Sequence, residues 1–195
     1  MQGKLSNLAI HDVKYDSLVM QARFNRGLLT LDEARLLEHE TTPDKGFIAA
    51  GGQIDLEKRT LHLEAGAIEA DPAVLTAFMK NPVELKGRMN IALQLEGSLD
   101  NPSGNGSLEI LGGSLEGGAF DRAIAMLTLK NDHINLEQML VEEGVYKLTA
   151  AGNIPLDLFR STEQRHNPRA QMNIDVDFNE ADLAALTAFK EVEWG

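Results

Sequence analysis

Between Leu85 and Leu99 the chain reads LKGRMNIALQLEGSL. The odd-numbered positions are apolar or glycine, and the even-numbered positions are polar apart from Ala92. Because successive side chains of a strand point to opposite faces, this alternation predicts a strand with one apolar and one polar face. At roughly 3.3 Å per residue the strand would span about 50 Å, well beyond the usual strand of about five or six residues.

Other segments repeat the alternation, and turn residues separate them. The predicted strands are Ile48–Leu56, Leu61–Ala67, Tyr146–Leu156 and Met172–Phe178. The predicted turns are Pro43–Gly46, Asp100–Gly106 and Asn131–Asp132, and the glycine pair Gly112–Gly113 is typical of a bulge or bend in a strand. The pattern favours a mostly β fold of long antiparallel strands that are polar on one side.

Two short segments depart from the strand pattern. Asp71-Pro72 precedes a helix-forming run to Met79, with the acid at the N-cap and the proline at the first helical position. A second helix is predicted over Asn179–Phe189, with Asn179 as its cap. Both predicted helices contain the sequence Leu-Thr-Ala-Phe.

An internal repeat connects the two halves of the chain. Gly52-Gln53-Ile54 matches Gly152-Asn153-Ile154, Leu29-Thr30-Leu31 matches Ile134-Asn135-Leu136, and Gly3-Lys4-Leu5 matches Gly106-Ser107-Leu108. The offsets of 100, 105 and 103 indicate a duplicated unit of roughly a hundred residues. We therefore expect a first β repeat over 1–84 that ends in a short helix, a seam strand and turn over 85–105, and a second β repeat over 106–195 that also ends in a short helix.

The composition excludes several functional classes. The 195 residues carry 18 Lys+Arg and 30 Asp+Glu, for a net charge of −12, and this charge repels nucleic acid. There is no cysteine, so disulfides and thiolate chemistry are excluded. Aromatic residues make up 5%, which disfavours a groove built on aromatic stacking. No run reaches the roughly 18 apolar residues of a membrane helix.

No motif for catalysis, metal or cofactor binding emerges. The five histidines lack metal-pair spacing, and His39-Glu40 meets Pro43 where a zincin would place its second ligand. Asp175-x-Asp177-x-Asn179 resembles half of a calcium loop, but Glu180 replaces its essential glycine. The Gly112–Gly118 stretch has no phosphate-binding lysine, and no Gly-x-Ser-x-Gly elbow occurs. We predict a protein that is not an enzyme and has no cofactor or metal.

Three motifs resemble a known family. Leu95-Glu96-Gly97-Ser98-Leu99-Asp100-Asn101-Pro102, then Gly106-Ser107-Leu108-Glu109-Ile110, and Tyr146–Leu156 (YKLTAAGNIPL) are similar to repeats of the TamB and AsmA-like envelope proteins, the translocation and assembly module family. The resemblance implies a periplasmic segment of a longer protein anchored in the inner membrane of a diderm bacterium. It also implies a curved, taco-like half-pipe sheet with an apolar concave face and no catalytic residues.

The function implied by the resemblance is phospholipid transport between the inner and outer membranes, with acyl chains in the apolar groove. The residues expected to line that groove are Leu85, Met89, Ile91, Leu93, Leu95, Ile110, Leu148, Ile154, Met172, Ile174, Val176 and Phe178. Two alternatives stay open: a scaffold for outer-membrane protein assembly with a barrel partner, which other parts of the parent chain would contact, and a closed β-sandwich binding module. A sheet with free edges also predicts edge-to-edge self-association.

Overall fold

The fold is described by a computed structural model that covers residues 2–10, 13–39, 46–76, 83–156 and 171–179. Eleven strands and one short helix are present in these ranges. They are β1 (Gln2–Ile10), β2 (Val13–Asn25), β3 (Leu28–Leu37), β4 (Phe47–Asp55), β5 (Thr60–Ala70), α1 (Ala73–Thr76), β6 (Leu85–Ser98), β7 (Pro102–Leu115), β8 (Gly118–Lys130), β9 (His133–Glu143), β10 (Tyr146–Pro155) and β11 (Asn173–Asn179).

All eleven strands form one open antiparallel sheet in which each strand pairs with its neighbours in sequence. The mostly β fold with long antiparallel strands is therefore confirmed. β1 and β11 lie at opposite ends of the sheet and do not pair with each other, so the sheet is neither a closed barrel nor a two-sheet sandwich. The chain exposes 13149 Å² of accessible surface, against roughly 9,100 Å² for a compact monomer of its mass.

Tight turns join many of the strands, as the sequence indicates. Asn131 and Asp132 both have positive φ (54° and 60°), which fits the type I′ turn that connects twisted hairpin strands. This confirms the turn predicted there. Gly112, with φ 55°, lies opposite a shift in the pairing of β6 and β7, so the predicted irregularity at the glycine pair is also confirmed.

The predicted turn Asp100–Gly106 is too long. β7 already begins at Pro102, which pairs with Gly97 of β6. A proline is tolerated as the first residue of a strand. Gly104 and Gly106, which we interpreted as turn residues, are strand residues opposite two leucines of β6 and provide space for those side chains.

The short helix α1 begins as predicted. The Asp71 carboxylate accepts a hydrogen bond of 2.9 Å from the backbone N–H of Ala73, which is N-cap geometry. Residues 77–79 of the predicted helix lie outside the described residues. In the second predicted helix, Asn179 is the last residue of β11, and residues 180–189 also lie outside the described residues. No helix within the described ranges is long and apolar enough to span a membrane.

The sheet irregularities recur at equivalent positions of the two sequence repeats. The pairing of β3 with β4 shifts between Leu31 and Ala34, and the pairing of β9 with β10 shifts between Leu136 and Met139, 105 residues later. Each shift leaves one extra residue in the longer strand, so that two of its residues lie opposite one residue of the partner, as in a β-bulge. In the order of strands, β1–β5 correspond to β7–β11, and β6 joins the two sets.

Candidate functional site: the apolar side of the sheet

One side of the sheet carries rows of apolar residues that cross the strands. We define the first row by following the paired residues from β1 to β11. Its members are Leu5, Leu18, Leu36, Ile48, Ala67, Ile91, Leu108, Ala125, Met139, Ala150 and Val176. Directly paired residues of neighbouring strands have their side chains on the same face. The first row therefore crosses the whole sheet without a polar side chain.

Two further rows lie beside the first on the same side. The second row contains Gly3, Met20, Ala34, Ala50, Ala65, Leu93, Gly106, Leu127, Leu136, Gly152 and Ile174. The third row runs from β2 to β10 and contains Ala22, Leu31, Gly52, Leu63, Leu95, Gly104, Leu129, Ile134 and Ile154. Neither row contains a polar or charged side chain. We call the three together the apolar rows.

The apolar rows are partly exposed to solvent. Leu5 is 58% exposed, Leu93 40% and Val176 44%, although all three are large aliphatic residues. A single exposed leucine is common on protein surfaces, but a contiguous apolar patch usually marks a binding surface. The continuity of the rows across eleven strands, rather than any one side chain, makes this side of the sheet the candidate site.

The helix α1 covers one part of the apolar side. Val74, together with Ala67, Ala70, Met89 and Ile110, forms a buried cluster. Beside this cluster lies a cavity of about 230 Å³ whose lining residues are all apolar or glycine. They are Ile48, Ala65, Gly66, Ala67, Val74, Leu75, Met89, Ile91 and Leu93. The apolar side is therefore sheltered near α1. A second buried cluster on the rows, formed by Ala125, Leu136 and Ala150, lies at β8–β10.

The opposite side of the sheet is polar and is held together by ion pairs. Arg122 Nε donates to Glu109 Oε1 at 2.9 Å, and Asn90 Nδ2 donates to Glu109 Oε2 at 3.3 Å. These two hydrogen bonds lower the pKa of Glu109 below its ordinary value. The guanidinium of Arg23 pairs with Asp32 in the same way and lowers the pKa of that carboxyl. The charges thus lie on the side away from the apolar rows.

Uncharged polar residues continue this polar side across β8–β10. Thr128 Oγ1 donates to Glu137 Oε1 at 2.7 Å, Asn135 Nδ2 donates to Thr128 Oγ1 at 3.3 Å, and Asn153 Nδ2 donates to Asn135 Oδ1 at 2.6 Å. A wide depression of about 670 Å³ lies beside them, with Glu64 and Asn105 also in its lining. No lysine, arginine or histidine lines it, and no acid–base pair of a catalytic kind is assembled there.

A buried polar cluster lies at the start of α1. Glu38 Oε1 accepts a hydrogen bond of 2.7 Å from the backbone N–H of Asp71, and burial raises the pKa of Glu38. Tyr15 is 1% exposed, and burial with the nearby charges of Glu38 and Asp71 raises its pKa to about 12. Among the described residues, the hydroxyls of Tyr15 and Ser17 have no hydrogen-bond partner. The hydrogen bond from Asp71 to Glu38 links the segment after β3 to the start of α1.

Metal binding finds no support in the part of the chain that the structure describes. No group of three or more histidine or acidic side chains there is arranged to hold an ion. Asp175 and Asp177, which resemble half of a calcium loop in sequence, lie on β11 as alternate residues of an extended strand.

The predicted groove residues lie on or beside the apolar rows. Six of them belong to the rows: Ile91, Leu93, Leu95, Ile154, Ile174 and Val176. Leu148 of β10 and Phe178 of β11 pair with each other on the same side, beside the first row. Leu85 packs against the cluster below α1, and Met172 precedes β11 and is 41% exposed. Met89 and Ile110 are buried at 1% and 4% exposure, so they offer no surface to a ligand.

The predicted groove residues include only six of the 31 residues of the apolar rows. The residues contributed by β1, β2 and β3, such as Leu5, Met20 and Leu36, were not among the predicted groove residues. Leu108 and Leu127, from β7 and β8, were also absent from that set. The signal was available, because Leu18, Met20, Ala22 and Phe24 alternate along β2. In β3 and β9, by contrast, a bulge shifts the alternation by one position and conceals it.

Comparison of the chain with protein-family models, with curated proteins and with solved structures finds no match in any of the three.

Proposed function

We propose that the apolar rows form a path for lipid acyl chains across the sheet, and that the protein is a non-catalytic lipid-conducting segment of a bacterial envelope protein. One observation carries this proposal: the first row crosses all eleven strands without a polar side chain. Ten strand spacings of about 4.8 Å give this row a length of roughly 48 Å. The hydrocarbon of one membrane leaflet is about 15 Å deep, so the row is long enough to guide a chain rather than only to bind one.

An acyl chain fits this surface better than a polypeptide does. The side chains of the rows are all aliphatic or glycine and offer no hydrogen-bond donor or acceptor. A peptide laid across them would bury its own N–H and C=O groups without partners, at a cost of a few kcal/mol for each group. A hydrocarbon chain has no such groups and gains free energy for every CH₂ that leaves water.

Curvature of the sheet is part of the proposal. Long antiparallel sheets twist, and the paired bulges of β2–β3–β4 and β8–β9–β10 increase the local bend. A half-pipe with the apolar rows on its concave face would shelter an acyl chain from water and leave the ion pairs outside. The resemblance of the chain to the TamB and AsmA-like repeats supports this shape and a periplasmic location between the two membranes.

The test uses the full chain and a phospholipid of known composition. Purified protein is mixed with phosphatidylethanolamine vesicles, separated from them, and analysed by native mass spectrometry and lipid extraction. We expect bound phospholipid in the wild type and its loss in Leu127→Asp, which places a carboxylate in the second row. Thr128→Asp, on the polar side of the same strand, is the matched control and should retain lipid. Equal binding by both variants, or no binding by the wild type, would contradict the proposal.

A further inference from the structure

The strand pair β10–β11 repeats the pair β4–β5. A Cβ on Gly52 would lie 2.2 Å from the backbone carbonyl oxygen of His62, and a Cβ on Gly152 would lie 2.2 Å from that of Asn173. The two glycines are 100 residues apart and are approached by the neighbouring strand in the same way. Position 62 is thus equivalent to position 173, and residues 62–68 of β5 have their counterparts in β11, 111 residues later.

The edge of β5 that faces away from β4 indicates what kind of strand fits the equivalent edge of β11. β5 pairs with β6 along that edge, and Ala65 lies beside Leu93 while Glu64 lies beside Gln94. Among the strands that the structure describes, β11 pairs with β10 alone. A strand could cover β11 in the way that β6 covers β5. With the offset of 111, the residue of that strand equivalent to Leu93 would lie beside Val176, and the residue equivalent to Gln94 would lie beside Asp175.

The side chains of β11 define the chemistry of such a strand. Ile174, Val176 and Phe178 lie on the apolar side, so the incoming strand needs large aliphatic residues at alternate positions. Asp175 and Asp177 are exposed on the polar side. Acidic residues directly opposite them would repel, whereas uncharged or basic residues are favoured.

Two arrangements of a second copy of the chain at this edge are unfavourable. Odd-numbered strands of the sheet run in the same direction, so β1 of a translated copy would lie parallel to β11, whereas every observed pair is antiparallel. A copy related by a two-fold axis would pair β11 with itself, and the register that sets Val176 opposite Val176 places Asp175 opposite Asp177 of the second chain. Like charges directly opposite each other destabilise a strand pair.

We propose that the edge of β11 that none of the described strands covers binds, in antiparallel register, an extended segment of a partner polypeptide that alternates large aliphatic residues with uncharged or basic ones, as β6 does. Backbone hydrogen bonds to the edge supply the affinity, and the aspartates select against acidic segments. The proposal concerns the edge of the sheet, so it is independent of whether the apolar rows carry lipid.

The first test measures binding of a synthetic peptide with the sequence of Leu85–Ser98 to the full chain. Two further peptides carry Lys or Glu at both Ala92 and Gln94, the positions that face Asp177 and Asp175. We expect the Lys peptide to bind on the order of 2- to 30-fold more tightly than the parent and the Glu peptide to bind correspondingly more weakly. The protein variant with Asp175→Asn and Asp177→Asn should bind all three peptides alike. Equal binding of the three peptides to the wild type would overturn the proposal.

The second test locates the contact. Hydrogen exchange followed by mass spectrometry should show new protection of residues 173–179 when the parent peptide binds, and no new protection of β1. Peptides N-methylated at alternate residues block one edge of the peptide strand at a time, so one methylated set should abolish binding and the other should not. Binding that neither set weakens would mean that the peptide lies on the apolar side, and the edge proposal would then be wrong.

Discussion

The side chain of Leu93 occupies the space next to Gly106: a Cβ added to that glycine would lie 2.4 Å from Leu93 Cδ2. The two residues are directly paired between β6 and β7 in the second apolar row. Gly104 stands in the same relationship to Leu95. Glycine at these positions of β7 leaves space for the side chains of the β6 leucines, which can then lie along the surface of the sheet.

The first prediction compares alanine at these two glycines. Gly104→Ala should cost about 1–3 kcal/mol of stability, because its Cβ would also meet the backbone carbonyl oxygen of Gln94 at 2.3 Å and that oxygen cannot move freely. Gly106→Ala should cost less than about 1 kcal/mol, since the half-exposed Leu93 can rotate away. Gly3→Ala, with nothing within 4 Å, is the control. Urea denaturation measures all three, and equal costs for Gly104 and Gly106 would contradict the argument.

The second prediction tests the equivalence of the two repeats. Gly52→Ala and Gly152→Ala should each destabilise the protein by about 1–3 kcal/mol or more, because each Cβ would meet a backbone carbonyl oxygen at 2.2 Å. Gly52→Ala should cost more, since its φ of 135° strains an L residue. Gly51→Ala is the matched control, since the nearest atom to its Cβ is 3.5 Å away. Thermal unfolding of the three variants measures these losses of stability. A large loss at one glycine and none at the other would show that the two strand pairs differ.

The sequence predicted β6 and β10, whose alternation is uninterrupted, and missed β3 and β9, which contain a bulge. It also missed β1, β2 and β8, which contain none. β6 and β10 follow a strict period of two, and their predicted bounds agree with the structure to within one residue. β3 and β9 each change face at a bulge, so no single alternation describes them. Gly104 and Gly106 of β7 were wrongly assigned to a turn for a different reason. Their role is to make room for Leu95 and Leu93 of the neighbouring strand, and only the register shows which residues are neighbours.

The apolar character of the candidate site could be predicted from the sequence, but the exposure of its individual residues could not. Alternation alone indicated an apolar side and placed Leu93, Ile174 and Val176 on it. It did not indicate that Met89 and Ile110 are buried in the cluster that contains Val74, because burial depends on where the short helix α1 packs. A contact between a helix and a sheet distant in sequence leaves no local periodic signal.

The third prediction concerns acid. The pKa of Glu109 is lowered from its ordinary value of 4.5 by the hydrogen bond from Arg122 and then by that from Asn90. The unfolded chain therefore binds more protons than the folded chain between the two pKa values, and the stability that this pair supplies is lost as the pH falls through that range. Glu109→Gln should flatten the dependence of the melting temperature on pH below 4.5. Arg122→Gln should do the same, and an unchanged slope in both variants would show that the pair does not contribute.

The fourth prediction concerns alkali. Burial and the charges of Glu38 and Asp71 raise the pKa of Tyr15 from 10.0 to about 12, so the folded chain keeps this proton where the unfolded chain loses it. The stability supplied by Tyr15 should fall as the pH rises from 10 to 12. Tyr15→Phe removes a hydroxyl that has no hydrogen-bond partner among the described residues, so stability at pH 8 should be equal or higher. Chemical denaturation at pH 8 and pH 11 should show that Tyr15→Phe loses less free energy of unfolding between these pH values than the wild type does. Tyr146→Phe, at an exposed tyrosine, is the control.

The last prediction separates a sealed core from an open lipid path. Leu93 is 40% exposed in the second row, whereas Met89, four residues earlier on β6, is 1% exposed beneath α1. Met89→Asp should unfold the protein, because a buried unpaired carboxylate costs several kcal/mol. Leu93→Asp should leave the fold intact with a loss of about 1–2 kcal/mol, since water still reaches the carboxylate.

The lipid readout uses the same strand. A photo-reactive residue at position 93 should form an adduct with phosphatidylethanolamine, and the same residue at position 94, which points to the polar side, should not. Leu93→Asp should also lose bound phospholipid, because a carboxylate in the row forces either its own desolvation or a water-filled gap beside the acyl chain. Thermal unfolding and mass spectrometry of the adducts measure both effects. Unfolding by Leu93→Asp, together with no lipid adduct at position 93, would mean that this side of the sheet is a protein core, and the lipid path would have to be abandoned.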